Sequence, residues 1–304
     1  WHLLPHPAQL TWSLEGAERA YEHFGPPFLL NTTQLYQRIR SEKASPQGDV
    51  MFGGSGSQAA QNEDLFAEYV SPNDADMLES GKNTTGFTTP YQADGSNLLV
   101  NTEELEELGI KVEGYEDLLQ PELKGKIAFG DPTQSSSAFA QLTNMLLAVG
   151  GDYESAEGWD YVAALVKQLD GVTIGSSSQV AQDVANGEFA VGLTYEPLSL
   201  NFVQSGSPVE IVYPVEGAVF LPSGVSVIKD GPNAAAAEAF ADFMSSEEGQ
   251  TILAEETAGR PLREGIEKDG LKALADIKTL DEDGAVVSES RDAIVAQYTS
   301  VLAG

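Results

Sequence analysis

The chain has 304 residues, room for two α/β lobes of ordinary size, and no cysteine, which excludes thiol catalysis, zinc–thiolate sites and disulfides together. Its 47 acidic residues against 16 basic ones give a net charge of −31, so neither nucleic-acid phosphates nor an anionic membrane surface suits it as a partner. The acidic residues are spread along the chain, as in a solvated surface adapted to salt or acidity, and no apolar run approaches the ~20 residues that a membrane-spanning helix needs.

Strands and helices alternate in the sequence pattern, which predicts an α/β architecture. The first residues, Trp1-His2-Leu3-Leu4-Pro5, lack the basic start and long apolar stretch of a signal peptide, so an exported protein is expected here in mature or trimmed form. Residues 34–43 read as a helix, with Leu35 and Ile39 four apart on one face. A short buried strand over 48–52 runs into Gly53-Gly54-Ser55-Gly56-Ser57. An apolar strand over 96–100 precedes a helix over 103–108, and a strand over 126–130 precedes a helix over 138–149. Residues 153–169 look helical, with Trp159, Val162 and Val166 along one side. A strand over 172–175 leads to Ser176-Ser177-Ser178 and a helix to 184, and a strand over 190–194 leads to Tyr195-Glu196-Pro197. Further strands are expected at 211–214 and 225–229, helices at 234–245 and 246–255, and an amphipathic helix at 290–302.

One pattern recurs: a strand ends and a Ser/Thr/Gly cluster starts a helix. It is present at Thr32 and Thr33, at Ser55, at Ser135, Ser136 and Ser137, and at Ser176 and Ser177. In parallel α/β sheets such turns lie at the carboxyl ends of strands, where ligands bind. Helix starts present unpaired N–H groups and partial positive charge, and hydroxyls add directed donors, so an anion can be held with almost no Lys or Arg. Each cluster taken singly is equally a helix cap, because Ser and Thr are favoured at that position in any protein. Two runs of three serines exceed what one cap requires.

The remaining chemistry is sparse. The histidines are His2, His6 and His23; Pro5 and Pro7 prevent the helix that would bring His2 and His6 onto one face, so no metal pair forms. His6 stands in a Pro-flanked loop after a short apolar run, where it either edges a ligand cleft or is a partly exposed imidazole. Tyr195 and Glu196 close the strand at 190–194, where a ring would cover a ligand and a carboxylate would accept its hydrogen bonds. The other reading is a loop tyrosine beside a solvated glutamate. Neither a nucleophile elbow with a placed base nor a P-loop occurs, so no enzyme activity, cofactor or resident metal is expected.

From Glu42 onward several fragments share one order and spacing. They are 42–50 (EKASPQGDV), 121–127 (PELKGKI), Asn186-Gly187-Glu188 with 192–196 (GLTYE), 213–217 (YPVEG) and 239–250 (AFADFMSSEEGQ). Together they resemble bacterial extracellular solute-binding proteins of the ferric-iron and organophosphate type. The resemblance implies a type II periplasmic-binding-protein fold: two α/β lobes joined by crossing strands, closing on a ligand in the cleft between them. It also implies docking to the permease subunits of an ABC importer outside the cytoplasmic membrane, with the binding protein a monomer. The expected lobes are 1–90 with 223–270, and 91–222, with the C-terminal helices at 271–304 packing back on them.

The resemblance also discriminates between ligands. Iron-binding members use a His, a Glu and two adjacent tyrosines; here His6 falls at the His position, but Gly54 and Pro197-Leu198 fall where the others belong. Ferric iron needs hard oxygen ligands, so a ferric-ion carrier using an exogenous anion is the second choice. The anion-holding turns correspond to Ser136, Ser137 and Ser177, and Tyr195-Glu196 looks like the pair in carriers of phosphorylated or phosphonate-bearing molecules. Arg260-Pro261-Leu262-Arg263 resembles a segment that approaches the cleft in such proteins. The expectation is therefore a small anionic organic solute. An enzyme on the same scaffold is the alternative from another class.

Overall fold

The computed structural model describes residues 32–303. In chain order the main elements are α1 (Thr32–Ser41), β1 (Val50–Phe52), α2 (Gly56–Ala60), β2 (Thr89–Asn101), α3 (Thr102–Leu108) and β3 (Ile127–Ala128). Next come α4 (Ser136–Met145), α5 (Ala156–Gln168), α6 (Ser177–Ala185), β4 (Val191–Tyr195), α7 (Glu196–Gln204) and β5 (Val209–Val212). The chain continues with β6 (Ala218–Val227), α8 (Ala234–Ser245), α9 (Glu247–Glu256), β7 (Arg260–Pro261), β8 (Thr279–Leu280) and α10 (Gly284–Ala303). The chain packs as two compact units. The first holds residues up to Asp94 and Leu221–Asp269; the second holds Gly95–Phe220 and residues from Gly270 onward. The divisions fall inside β2 and β6.

In the first unit, β1 pairs antiparallel with the end of β6, Val50 opposite Val227, and the start of β2 pairs with β7, Gln92 opposite Pro261. All three residues of β1 are buried, so its apolar run is continuous rather than alternating. Phe52 stacks on Tyr91 at 4.5 Å between ring centroids, and Ala237, Ala241 and Met244 of α8 cover the same core. Leu35 and Ile39 of α1, one turn apart, bury with Met51 and Phe66. Gln250 ties this unit together: its Nε2 donates to Tyr91 O at 2.6 Å and Met244 O at 2.7 Å, and its Oε1 accepts from Leu262 N at 2.7 Å. A buried amide with every bond made costs little and fixes the relative placement of α9, β2 and β7.

In the second unit the later half of β2 lies between β5 and β4, antiparallel to both, and β3 continues the sheet parallel to β4. Beyond β3, Gly130 bridges to Ile174, again parallel. Side chains alternate along β2. Leu98 and Val100 bury against α4, α5 and α10, while Leu99 buries with Val180, Ala181 and Val184 of α6. Gly192 in β4 admits α6: a Cβ there would stand 2.8 Å from Val184 Cγ2. Asn144 of α4, fully buried, donates to Tyr115 Oη at 2.5 Å and Gly217 O at 3.3 Å, and its Oδ1 accepts from Val219 N at 2.6 Å. Glu216 reaches back to accept from the N–H groups of Tyr115 and Glu116, both at 3.0 Å. These two side chains join the start of β6 to a loop about a hundred residues earlier.

Some expected elements differ in extent. The strand expected at 96–100 is longer and begins at Thr89, because its residues are buried almost throughout and pair on successive edges. The strand expected at 172–175 reduces to the single bridge at Ile174. Helix α4 starts at Ser136, with Ser135 as its cap, and passes into a π turn at Leu146–Gly150. The terminal helix begins at Gly284 instead of 290, where the Asp283 carboxylate accepts from the N–H groups of Ala285 and Val286. No helix among the described residues is long and apolar enough to cross a membrane.

Two predictions arise from charge. A net charge of −31 repels itself in the compact state, and salt shortens the screening length to about 3 Å at 1 M. The melting temperature is expected to rise steadily between 0.05 M and 1 M NaCl in differential scanning fluorimetry. Glu282, just before α10, is half-buried and accepts from Thr143 Oγ1 at 3.1 Å; burial pushes its carboxyl above the usual range, outweighing that bond. A carboxyl whose folded pKa is raised stabilises the fold fully below its unfolded value, and that contribution is lost as pH rises through the interval up to the folded one. Glu282→Gln keeps an oxygen for Thr143 and removes the charge. The urea midpoint should therefore rise at pH 7 and change much less at pH 4.

Candidate functional site

Three parallel segments of the second unit lie side by side: β4, then β3 with its extension to Gly130, then Ile174. Each leads from its carboxyl end into a helix, β4 into α7, β3 into α4, and Ile174 into α6. The open edge of the sheet at these ends is thus faced by three helix starts. The first N–H groups of each helix have no acceptor within it, and the three partial positive charges add at one edge of the unit.

The turn from β3 to α4 is shaped by Asp131. Its Oδ1 accepts from Thr133 N at 2.8 Å, its carbonyl from Gln134 N and Ser135 N, and its own N–H donates to Ile174 O at 3.2 Å. Ser135 then caps α4, its Oγ accepting from Ala138 N at 3.3 Å and sharing a 3.0 Å hydrogen bond with Ser137 Oγ. Gly130 lets α4 approach, since a Cβ there would lie 2.9 Å from Ala138 Cβ. Ser176 caps α6 by accepting from Gln179 N at 3.3 Å. In each triplet the first serine is therefore the cap. Ser136 is exposed, and Ser137 and Ser177 are half-buried at the helix starts, so these three hydroxyls are surplus to the caps.

The third helix start differs. Tyr195 is half-buried and extended, and Glu196 opens α7 with no solvent exposure at all. Tyr213 Oη donates to Glu196 Oε1 at 2.5 Å. The reading of Glu196 as a solvated side chain before Pro197 is thus corrected: the carboxyl turns inward because a phenol on the neighbouring segment receives it. Beneath this edge Gln141, one turn after Ser137 on α4, donates to Thr194 O at 2.6 Å and Ser96 Oγ at 3.2 Å.

The other candidates lie in the first unit or outside the described residues. Ser55 caps α2 in a reciprocal capping box with Gln58, after Gly53 and Gly54, whose φ values of 99° and 86° suit glycine alone. Thr32 and Thr33 open α1, and their side chains, like His6, lie outside the described residues. Arg260 is buried in β7, and Arg263 is committed to Asp76 at 2.7 Å and Ser245 O at 3.0 Å. Among the described residues no three His, Asp or Glu side chains gather as a metal site would need. The structure thus brings Ser135, Ser136, Ser137, Ser176, Ser177, Tyr195 and Glu196 to one edge of one unit. Sequence reasoning missed Tyr213; its signal was a strand-end tyrosine fixed by the following proline.

Comparison with known proteins bears on the family and the fold. Residues 44–286 match the model of a family described as bacterial extracellular solute-binding protein. An uncharacterised protein of Haemophilus influenzae is 29% identical over 71% of this chain and 64% of its own length, so the match spans just under two thirds of that relative. Iron uptake protein A1 of Synechocystis is 25% identical over 84% of this chain and 74% of its own. Among solved structures, the periplasmic binding protein AfuA of Actinobacillus pleuropneumoniae, with fructose-6-phosphate bound, superposes with a TM-score of 0.76. It is 24% identical, over 99% of this chain and 98% of its own, a likeness of fold. The family is one of binding proteins and not of enzymes, and the α/β architecture is that of periplasmic binding proteins. With four-fifths of its length inside the family match, this chain belongs to the bacterial extracellular solute-binding proteins.

Proposed function

We propose that this protein is the substrate-binding component of an ABC importer, acting outside the cytoplasmic membrane as a monomer and delivering its solute to the permease subunits. The solute is a small anionic organic molecule, a phosphorylated sugar or a phosphonate. The observation that carries this reading is the set of three adjacent parallel strand ends, each opening a helix, with Ser136, Ser137 and Ser177 left over once the caps are made. In a chain with so few cations an anion is held by backbone N–H groups and hydroxyls, which need no charged side chain. Tyr195 stands beside them to cover the organic part. His6, Thr32, Thr33 and Ser55 enter the proposal from the sequence pattern, His6 also by resemblance.

Ferric iron is the second reading, favoured by the likeness to an iron uptake protein. It calls for carboxylate and phenolate ligands where this chain has Gly54 and Pro197-Leu198, so the iron would have to be held with an exogenous anion. A ferric–phenolate carrier is coloured when loaded and an organophosphate carrier is not, so the absorbance of the purified protein separates the two.

Hydrogen bonds to a charged group contribute roughly 1.5–3 kcal/mol each. Ser177→Ala is therefore expected to weaken binding of fructose-6-phosphate or 2-aminoethylphosphonate about ten- to a hundredfold in calorimetry. Ser176→Ala removes a cap and should cost about 1 kcal/mol of stability, with a much smaller change in affinity. Equal affinity in Ser177→Ala and the parent, with binding abolished in Arg260→Ala, would replace the helix starts by a guanidinium clamp.

A further inference from the structure

We propose that Tyr213 is a positioning residue for the solute site, holding Tyr195 in place through the carboxyl group of Glu196; this rests on the reading of that edge as the solute site. Four residues from separate stretches of the second unit interlock here. Tyr213 follows β5 directly and donates to Glu196 Oε1 at 2.5 Å. Its ring stacks on Phe220 of β6, with centroids 6.2 Å apart and planes 25° apart. Phe220 and the Glu196 carboxyl both press onto β2 at Gly95. A Cβ at that glycine would lie 2.3 Å from Phe220 Cε1 and 2.9 Å from Glu196 Cδ.

The carboxyl is thus held between a phenol and the bare backbone of a strand. Tyr195 is tied on both sides of this clamp. Its Cα is opposite Ser96, the residue after Gly95, and its own carbonyl leads into Glu196. Tyr195 is the extended residue between β4 and α7, with φ −140° and ψ 157°. Its ring direction therefore depends on where the first turn of α7 sits, and Glu196 is the residue that anchors that turn. A fully buried carboxyl with a short phenol bond is costly to place. Anchored there, it fixes the first turn of α7 and with it Tyr195, the ring at the end of β4.

The test compares wild type, Tyr213→Phe, Tyr195→Ala and the double variant. Tyr213→Phe removes one hydroxyl and keeps the ring that stacks on Phe220, and its melting temperature is measured beside its affinities. In ligand-free protein labelled at tyrosine rings, the Tyr195 resonances, assigned by their loss in Tyr195→Ala, should shift in Tyr213→Phe. With fructose-6-phosphate, 2-aminoethylphosphonate and inorganic phosphate as probes, Tyr213→Phe should weaken the two organic ligands roughly tenfold, the weight of one hydrogen bond, and inorganic phosphate far less. Added to Tyr195→Ala it should cause no additional loss, because both changes remove the same interaction. Unmoved Tyr195 resonances, or losses that add in the double variant, would overturn the proposal, as would a fall in melting temperature with all affinities unchanged. If wild type binds none of the three probes, the solute reading fails, while the ligand-free resonances still decide the role of Tyr213.

Discussion

Strand β2 is buried along nearly all of its thirteen residues, and the pairing of its backbone sets where everything else can stand. Its first residues bond to β7, and its later ones to β4 on one edge and β5 on the other. A strand used on both edges and both faces cannot slip by one residue without turning Leu98 and Val100 away from one core and Leu99 away from the other. That register places Ser96 opposite Tyr195 and so fixes where β4 stops and α7 begins. The position of the proposed binding edge is in this sense a consequence of the register of β2.

The charge of the chain constrains the chemistry at that edge. With 47 acidic residues and 16 basic ones, a charged clamp would have to be assembled against a strongly negative background. Several of the cations are already engaged, Lys126 with Glu104 at 2.6 Å, Arg263 with Asp76, and Lys268 with the carbonyl of Ala254 near the end of α9. Helix starts escape this limit because their partial charges come from the backbone and do not alter net charge. Parallel strands leading into helices put several such starts side by side, which explains why the recurrent strand–serine–helix pattern and the α/β fold occur together.

Glycines mark the places where the two faces of the sheet are tightest. Gly192 admits α6, Gly130 admits α4, and Gly95 receives the Glu196 carboxyl and the Phe220 ring. The polar side chains buried nearby, Asn144, Gln141 and Glu196, each hold elements far apart in sequence. Such groups add little net stability, but they penalise any arrangement that leaves them unpaired, so they select one packing among several apolar alternatives.

The α/β class, the approximate place of nearly every helix, and the serine-capped helix starts were legible in the sequence. Period, caps and turn residues act within a few positions of the chain, so Ser135 and Ser176 announce α4 and α6 without help from the rest of the molecule. Charge and the lack of cysteine likewise bounded the chemistry from composition alone. Only the tertiary structure decided which strand ends are neighbours, because the order β5, β2, β4, β3 joins residues 96–101, 127–128, 191–195 and 209–212, and no local pattern encodes such pairing. It also decided that Glu196 faces inward. A glutamate before a proline reads equally as a ligand-facing carboxylate or a solvated loop residue until Tyr213, seventeen positions later, is brought within hydrogen-bonding distance by the packing of β5 and α7.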